Sequence, residues 1–232
     1  EVHRNKADHE IFERSIFNEI PILKNLKSKA YQQLGTSGGG NHFVEFGIIK
    51  LTEVKPEWNL QPGEYLAVLS HSGSRGLGAN IAKHYTYLAG KQCPLPKQVQ
   101  HLAWLDLNTH DGQEYWLAMN LAGDYAKACH DDIHRRLAKA IGKSVVFTIE
   151  NHHNFAWKEM VDGFERIVHR KGATPAGEGV LGIIPGSMTA DGFIVEGLGN
   201  ELSINSASHG AGRKLSRAKC KSTITKSFMN AQ

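Results

Sequence analysis

Glu64-Tyr65-Leu66-Ala67-Val68-Leu69-Ser70-His71-Ser72-Gly73-Ser74-Arg75-Gly76 is the stretch that decides the class of fold. Its first half is a continuous apolar run of strand length, which predicts a buried strand. That strand delivers His71 at its end. The loop Ser72 to Gly76 follows, and then a helix expected to continue through Tyr87. Upstream, Gly35-Thr36-Ser37-Gly38-Gly39-Gly40 is too rich in glycine for a regular element. His42 to Ile49 then reads as a second strand, through Phe43, Val44, Phe46, Ile48 and Ile49. Further back, Ile11, Phe12, Ile16 and Ile20 recur at helical spacing until Pro21 ends or kinks that helix. Downstream, Pro94 and Pro96 open a connector. Leu121, Tyr125, Cys129, Ile133, Leu137 and Ile141 predict one long helix from about Gln113 to Ala140, with Gly142 as its C-terminal cap. Val145 to Ile149, Phe164 to His169, Gly182 to Ile184 and Phe193 to Val195 read as strands. No internal repeat or linker interrupts the chain. The expected architecture is α+β, a single domain over residues 1–232 with mixed or antiparallel sheets flanked by helices.

Composition narrows the function classes. The chain has 232 residues, 41% of them hydrophobic, and four Trp, enough for a sizeable core and against wholesale disorder. A net charge of +4 permits a phosphate-rich partner without requiring one. Three cysteines, Cys93, Cys129 and Cys220, stand far apart with no Cys-x-x-Cys pair. That argues against a disulfide framework and fits a reducing cytoplasmic setting. No run of about twenty apolar residues exists to span a membrane, and the first residues are not a signal peptide. The chain opens at Glu1 without Met and closes at Gln232, so both ends are expected to lie inside a longer protein.

Histidine is the abundant residue, with thirteen copies. Four segments place it at a strand or loop end beside glycine or small polar residues: Asn41 to Glu45, His71 to Arg75, His152 to Asn154, and Ser208 to Arg213. Catalytic groups gather in such loops because the scaffold fixes them while leaving the side chains accessible. Imidazoles from separate strand ends make a divalent-metal site, so His42, His71 and His153 are the candidate ligands, with Glu45 as a possible oxygen donor. His130 and His134 stand at i, i+4 on the long helix, but Asp131 replaces the Glu that a metalloprotease needs, and a solvated helix face explains them. Gly35 to Asn41 can cradle phosphate oxygens with backbone N–H groups, or simply turn the chain; no Gly-Lys-Ser/Thr makes it a Walker A loop. Gly210 and Gly212 would let backbone donors approach a phosphate, with Arg213 adding a forked cation. The alternative there is a turn into a helix. Pro185-Gly186-Ser187-Met188 reads as a type II turn with Gly186 at positive φ.

Taken in order, Gly35-Thr36-x-Gly38-x-Gly40-Asn41-His42-Phe43-x-Glu45, His71 to Gly76, His152-His153-Asn154, Arg170-Lys171-Gly172-Ala173, Ile184 to Met188, and Ser208-His209-Gly210-Ala211-Gly212-Arg213-x-x-Ser216-Arg217 resemble the RtcB family of RNA-splicing ligases. The match runs from Gly35 to Arg217. The resemblance implies an RtcB-like fold with a deep active-site cleft. It implies an enzyme that uses GTP and two Mn2+ ions to join RNA 3′-phosphate or 2′,3′-cyclic phosphate ends to 5′-hydroxyl ends. It casts His209 as the nucleophile that forms a guanylyl-histidine, and His42, His71 and His153 as metal ligands. Asn41, His42, Phe43, Val44, Glu45, His153, Asn154, Pro185, Gly186, Ser187, Met188, His209, Gly210, Ala211 and Gly212 match segments that contact the guanylate. Arg75 and Arg213 match positions suited to phosphates or RNA. The implied partners are such RNA ends and a possible accessory activator protein, with no membrane.

The chain departs from the family pattern in three places. The family's metal site also takes an Asp and a Cys from an upstream segment, and no Asp-x-x-Cys-Gly run precedes Gly35. A guanine-contacting lysine of the family is expected beyond Gln232. Gly192 stands where family members often carry a nucleotide-contacting Ser. Two other functions fit the same residues: a metal-dependent RNA-end phosphoesterase, which has no need of His209 as a nucleotide carrier, and a degenerate RNA-binding module, which would bind RNA with strong salt dependence and no metal.

Overall fold

Pro21 begins a helix as well as following the end of one. Glu10–Glu13 forms a 3-10 turn and Ile16–Glu19 a single helical turn, α1. Pro21 then occupies the first turn of α2 (Pro21–Gln33), where its fixed φ suits the helix and its missing N–H has no partner to lose. The structure, a computed structural model, describes residues 9–40, 42–186, 190–210 and 215–230. The chain divides into two compact units, residues 1–145 and 146–232.

In the first unit β1 (Phe43–Leu51) pairs antiparallel with β2 (Gly63–His71), in a register that sets Phe43 opposite His71 and Leu51 opposite Gly63. Helix α3 (Arg75–Gln92) follows the loop after His71, and α4 (His110–Ala140) is the long helix. Leu77, Ile81 and Tyr85 on α3 and Leu121, Tyr125 and Cys129 on α4 recur every fourth residue. They close over Phe12, Phe17, Leu23 and Ala30 to make the buried core. Thr109 caps α4 by accepting from the Gly112 N–H. At the other end Gly142 takes φ +64; its N–H donates to Lys139 O (3.2 Å), and that of Lys143 donates to Ala138 O (3.0 Å). This is the Schellman stop expected of a glycine there. β2 differs from expectation, being half-buried instead of buried, with Leu66 exposed. The register places Phe46 with Val68 and Ile48 with Leu66 on one face, and Phe46, Ile48 and Leu66 are exposed. A continuous apolar run does not by itself tell how many faces are covered.

In the second unit β3 (Phe155–Val161) and β4 (Phe164–Arg170) form a hairpin. Asp162 and Gly163 turn it with φ 51 and 78, the two left-handed residues of a type I′ turn. β5 (Ala173–Pro175) pairs with β8 (Ser206–Ser208), and β6 (Leu181–Ile184) with β7 (Phe193–Glu196). Short helices α5 (Arg217–Thr223) and α6 (Lys226–Asn230) follow. All four sheets among the described residues are two-stranded and antiparallel, so of the expected mixed or antiparallel sheets the antiparallel kind is present.

Two local expectations are corrected. Val145 to Ile149 is no strand: residues 143–150 carry no ladder, and Val145 and Val146 are exposed. β-branched side chains favour a strand only where a neighbouring strand and a covered face exist. Gly186 does not take a positive φ; a Cβ there would lie 2.1 Å from Ala190 O and 2.2 Å from Asp191 O, so close backbone approach excludes a side chain. No helix among the described residues is long and apolar enough to cross a membrane.

Candidate functional site

The β1–β2 register brings together His42, just before β1, and His71, at the end of β2. Their ring centroids lie 5.8 Å apart, and the Phe43 ring stacks on His71 at 5.7 Å. Val44 is half-buried on β1 and Glu45 exposed. Arg75 opens α3 at φ 55 and turns its guanidinium into the glycine loop. Nε donates to Thr36 Oγ1 (3.0 Å), and Nη1 donates to Ser37 O (3.3 Å) and stands 3.4 Å from His42 Nδ1. Gly38, at φ +91, leaves room for that cation: a Cβ would sit 1.6 Å from Nη1. Burial, and after it the charge of Arg75, holds the His42 pKa below its ordinary value, against a backbone hydrogen bond to Gly39 that raises it. His42 therefore stays neutral, the form that ligates metals.

His130 and His134 are not a solvated pair. His130 Nε2 accepts from the Ser72 N–H at 3.0 Å, and His134 Nε2 meets Ser70 Oγ at 2.8 Å. Both are half-buried struts from α4 to the strand end that carries His71. Their i, i+4 spacing was visible in the sequence; their partner was not.

The second unit builds another imidazole pair. His153 and His209 have ring centroids 4.9 Å apart, tilted by 34°. Gly172, at φ +73, links the two segments: its N–H donates to Asn154 Oδ1 (2.8 Å), and its carbonyl accepts from the His209 N–H (3.3 Å). Buried Thr174 fixes the His152 stretch, donating to His152 O and accepting from Asn151 Nδ2, both at 3.1 Å. The β5–β8 register sets Ala173 opposite Ser208, so His209 emerges directly beyond the ladder. Nδ1 of His209 is buried and has no hydrogen-bond partner among the described residues. A Cβ on Gly210 would lie 3.9 Å from Pro185 O, which puts Pro185 beside this turn. Asn41, Ser187, Met188, Ala211, Gly212 and Arg213 lie outside the described residues.

A different set, His110, Asp111 and Glu114 near the N-terminus of α4, brings potential ligand atoms within 4.8 Å. Carboxylates at a helix N-terminus are stabilised by the backbone dipole without a cation, Asp111 accepts from Gln92, and Glu114 accepts from the Tyr85 hydroxyl. None of the three belongs to the motif segments. A cavity of about 500 Å³ lined by His9, Arg14, Asp124, Lys127 and Asp131 among others also contains no motif residue.

Comparison with known proteins gives the decisive match. The model of the family described as tRNA-splicing ligase RtcB matches residues 4–232. The chain belongs to the RtcB family. It is 38% identical to RNA-splicing ligase RtcB of Escherichia coli K12, over 84% of this chain and 48% of that protein. It is 33% identical to tRNA-splicing ligase RtcB of Nanoarchaeum equitans, over 86% and 48%, and 32% identical to RNA-splicing ligase RtcB homolog 1 of Entamoeba dispar, over 90% and 45%. It thus spans about half the length of these relatives. The RtcB match runs through both compact units and through every segment that carries the two imidazole pairs.

Proposed function

We propose that residues 1–232 act as one catalytic domain of a GTP- and Mn2+-dependent RNA ligase, which joins RNA 3′-phosphate or 2′,3′-cyclic phosphate ends to 5′-hydroxyl ends through a guanylyl-histidine at His209. The observation that carries this reading is the His209 imidazole, held by Gly172 against His153 with a buried ring nitrogen that has no hydrogen-bond partner among the described residues. A neutral imidazole is a competent nucleophile near neutral pH, since its ordinary pKa is about 6.5. A ring nitrogen attacks the α-phosphorus of GTP; a P–N bond forms, the bond to the β-phosphate oxygen breaks, pyrophosphate leaves and the ring gives up a proton. The RNA 3′-phosphate oxygen then takes GMP, breaking the P–N bond, and the ring regains its proton. The 5′-hydroxyl attacks the activated 3′-phosphorus and GMP departs.

The donor set fits the implied metal. His42 and His71 face each other at a span two ligating rings can adopt, and the lowered pKa of His42 keeps it deprotonated. His153 is the third imidazole ligand in this reading, with Glu45 available as an oxygen donor. Mn2+ held by these imidazoles would supply Lewis-acid stabilisation of the phosphate charge. Asn41 to Glu45, His153, Asn154, Pro185 to Met188 and His209 to Gly212 contact the guanylate. Arg75 and Arg213 hold phosphates, Arg75 from within the glycine loop. A deep cleft for the RNA ends, an accessory activator protein and a cytoplasmic setting belong to the same reading; its ligase chemistry is supported by what the relatives are named for, RNA-splicing and tRNA-splicing ligation.

Incubation with α-labelled GTP and Mn2+ tests it. The chain should take up label, and His209→Ala should take up none. Label that survives the substitution removes His209 as nucleophile. RNA ends opened or dephosphorylated but never joined would make the chain a phosphoesterase.

A further inference from the structure

Arg170 is buried in the second unit, and each of its guanidinium nitrogens donates a hydrogen bond. It leaves the end of β4 and crosses the β3 face, where its guanidinium lies over the Trp157 ring, 5.1 Å from the centroid. Nη1 and Nη2 take the two carboxylate oxygens of Glu159, a bidentate pair. The rest of the fork reaches the segment that leads to His209: Nε donates to Ser206 Oγ (2.8 Å), and Nη2 donates to Ile204 O (2.9 Å) and Asn205 O (3.5 Å).

That segment needs such a clamp. Ile204 and Asn205 are consecutive non-glycine residues at φ 51 and 46, and a β-branched residue in that region is strained. β8 begins at the next residue and is only three residues long, so its ladder with β5 offers few bonds to define its register. A slip of one residue would move His209 by about 3.3 Å and turn every side chain of β8 to the opposite face. His209 would then lose both its bond to Gly172 O and its place against His153.

We propose that Arg170 is the positioning residue for His209: anchored by Glu159, its guanidinium fixes the strained turn at Ile204–Asn205, sets the β8 register, and so aims the His209 imidazole. The inference rests on the reading of His209 as the residue that accepts GMP.

Arg170→Lys in the full chain tests it, because lysine keeps the charge and loses the planar fork. Two readouts apply. One is the NOE between the ring protons of His153 and His209 in protein labelled at histidine. The other is the single-turnover rate of GMP transfer to the protein, measured against the KM for GTP. The expected result is loss of the inter-ring NOE and a fall in rate of tenfold or more, with KM changed less than twofold. A role confined to stability would lower Tm and leave the NOE and the rate of the folded protein unchanged, which overturns the proposal. If Arg170→Lys does not fold, Ser206→Ala decides: it removes the bond from Arg170 Nε together with the Ser206 Oγ bond to Ile204 O, and leaves the Arg170–Glu159 pair in place. It should weaken the NOE and slow transfer about two- to fivefold, and no change overturns the proposal. If the unsubstituted chain takes no label from GTP, the ligase reading has failed, and the NOE alone decides the positioning.

Discussion

The imidazoles of His153 and His209 face one another across 4.9 Å, although they stand 56 positions apart in the chain. The Gly172 peptide bonds both of their segments. Two groups so close should act as a unit. His153→Ala should therefore lower GMP labelling of His209 at least tenfold at fixed Mn2+, with partial recovery as Mn2+ is raised. A labelling assay across a Mn2+ series reads this directly. Labelling identical to the unsubstituted chain would separate the two rings functionally.

Gly172 takes a φ that L side chains adopt at a cost of roughly 1–2 kcal/mol. Gly172→Ala should destabilise the protein by about that amount in urea unfolding. The nearest atom to the new Cβ is His209 Cε1 at 3.9 Å, an ordinary contact, so the cost is conformational and not a clash. A neutral result would mean the turn relaxes to another backbone shape.

The His42 pKa lies below its ordinary value, first because of burial and then because of Arg75. Arg75→Met removes a cation that disfavours the imidazolium, so the pKa should rise while burial still holds it down. NMR titration of the His42 Cε1–H signal in metal-free protein checks the sign. The unfolded chain takes up this proton first as pH falls. The destabilisation from His42 should therefore begin near pH 6.5 and be complete once pH passes below the folded pKa. A pKa that falls on Arg75→Met would contradict the assigned cause.

His130 accepts the Ser72 N–H, and its removal leaves that donor without this partner. His130→Ala should cost about 1–3 kcal/mol in denaturant unfolding. His130→Gln can still present an acceptor oxygen and should cost less. Equal losses in both would show that the ring's packing matters and the hydrogen bond does not.

Much of the fold could be read from the chain. The periods at Leu121, Tyr125, Cys129 and Ile133, and the stop at Gly142, predicted α4 and its Schellman end. The apolar runs around Phe43 and Leu66 predicted β1 and β2. The β3–β4 hairpin carried a signal in Asp162-Gly163, but the mixed charge of Lys158 and Glu159 obscured β3. Val145 to Ile149 had strand-forming residues without a neighbouring strand, and β-propensity could not supply one.

The sequence by itself determined the family and the order of the histidine motifs, because glycines and imidazoles at fixed spacing are local chemistry that survives any packing. It also marked His209 out among thirteen histidines. Only the tertiary structure decided which groups meet. Strand register, not spacing, pairs His42 with His71 and carries His209 to His153. Likewise the forked reach of Arg75 into the glycine loop and of Arg170 to Ile204 and Ser206 depends on backbone brought together from distant parts of the chain, which no local pattern encodes.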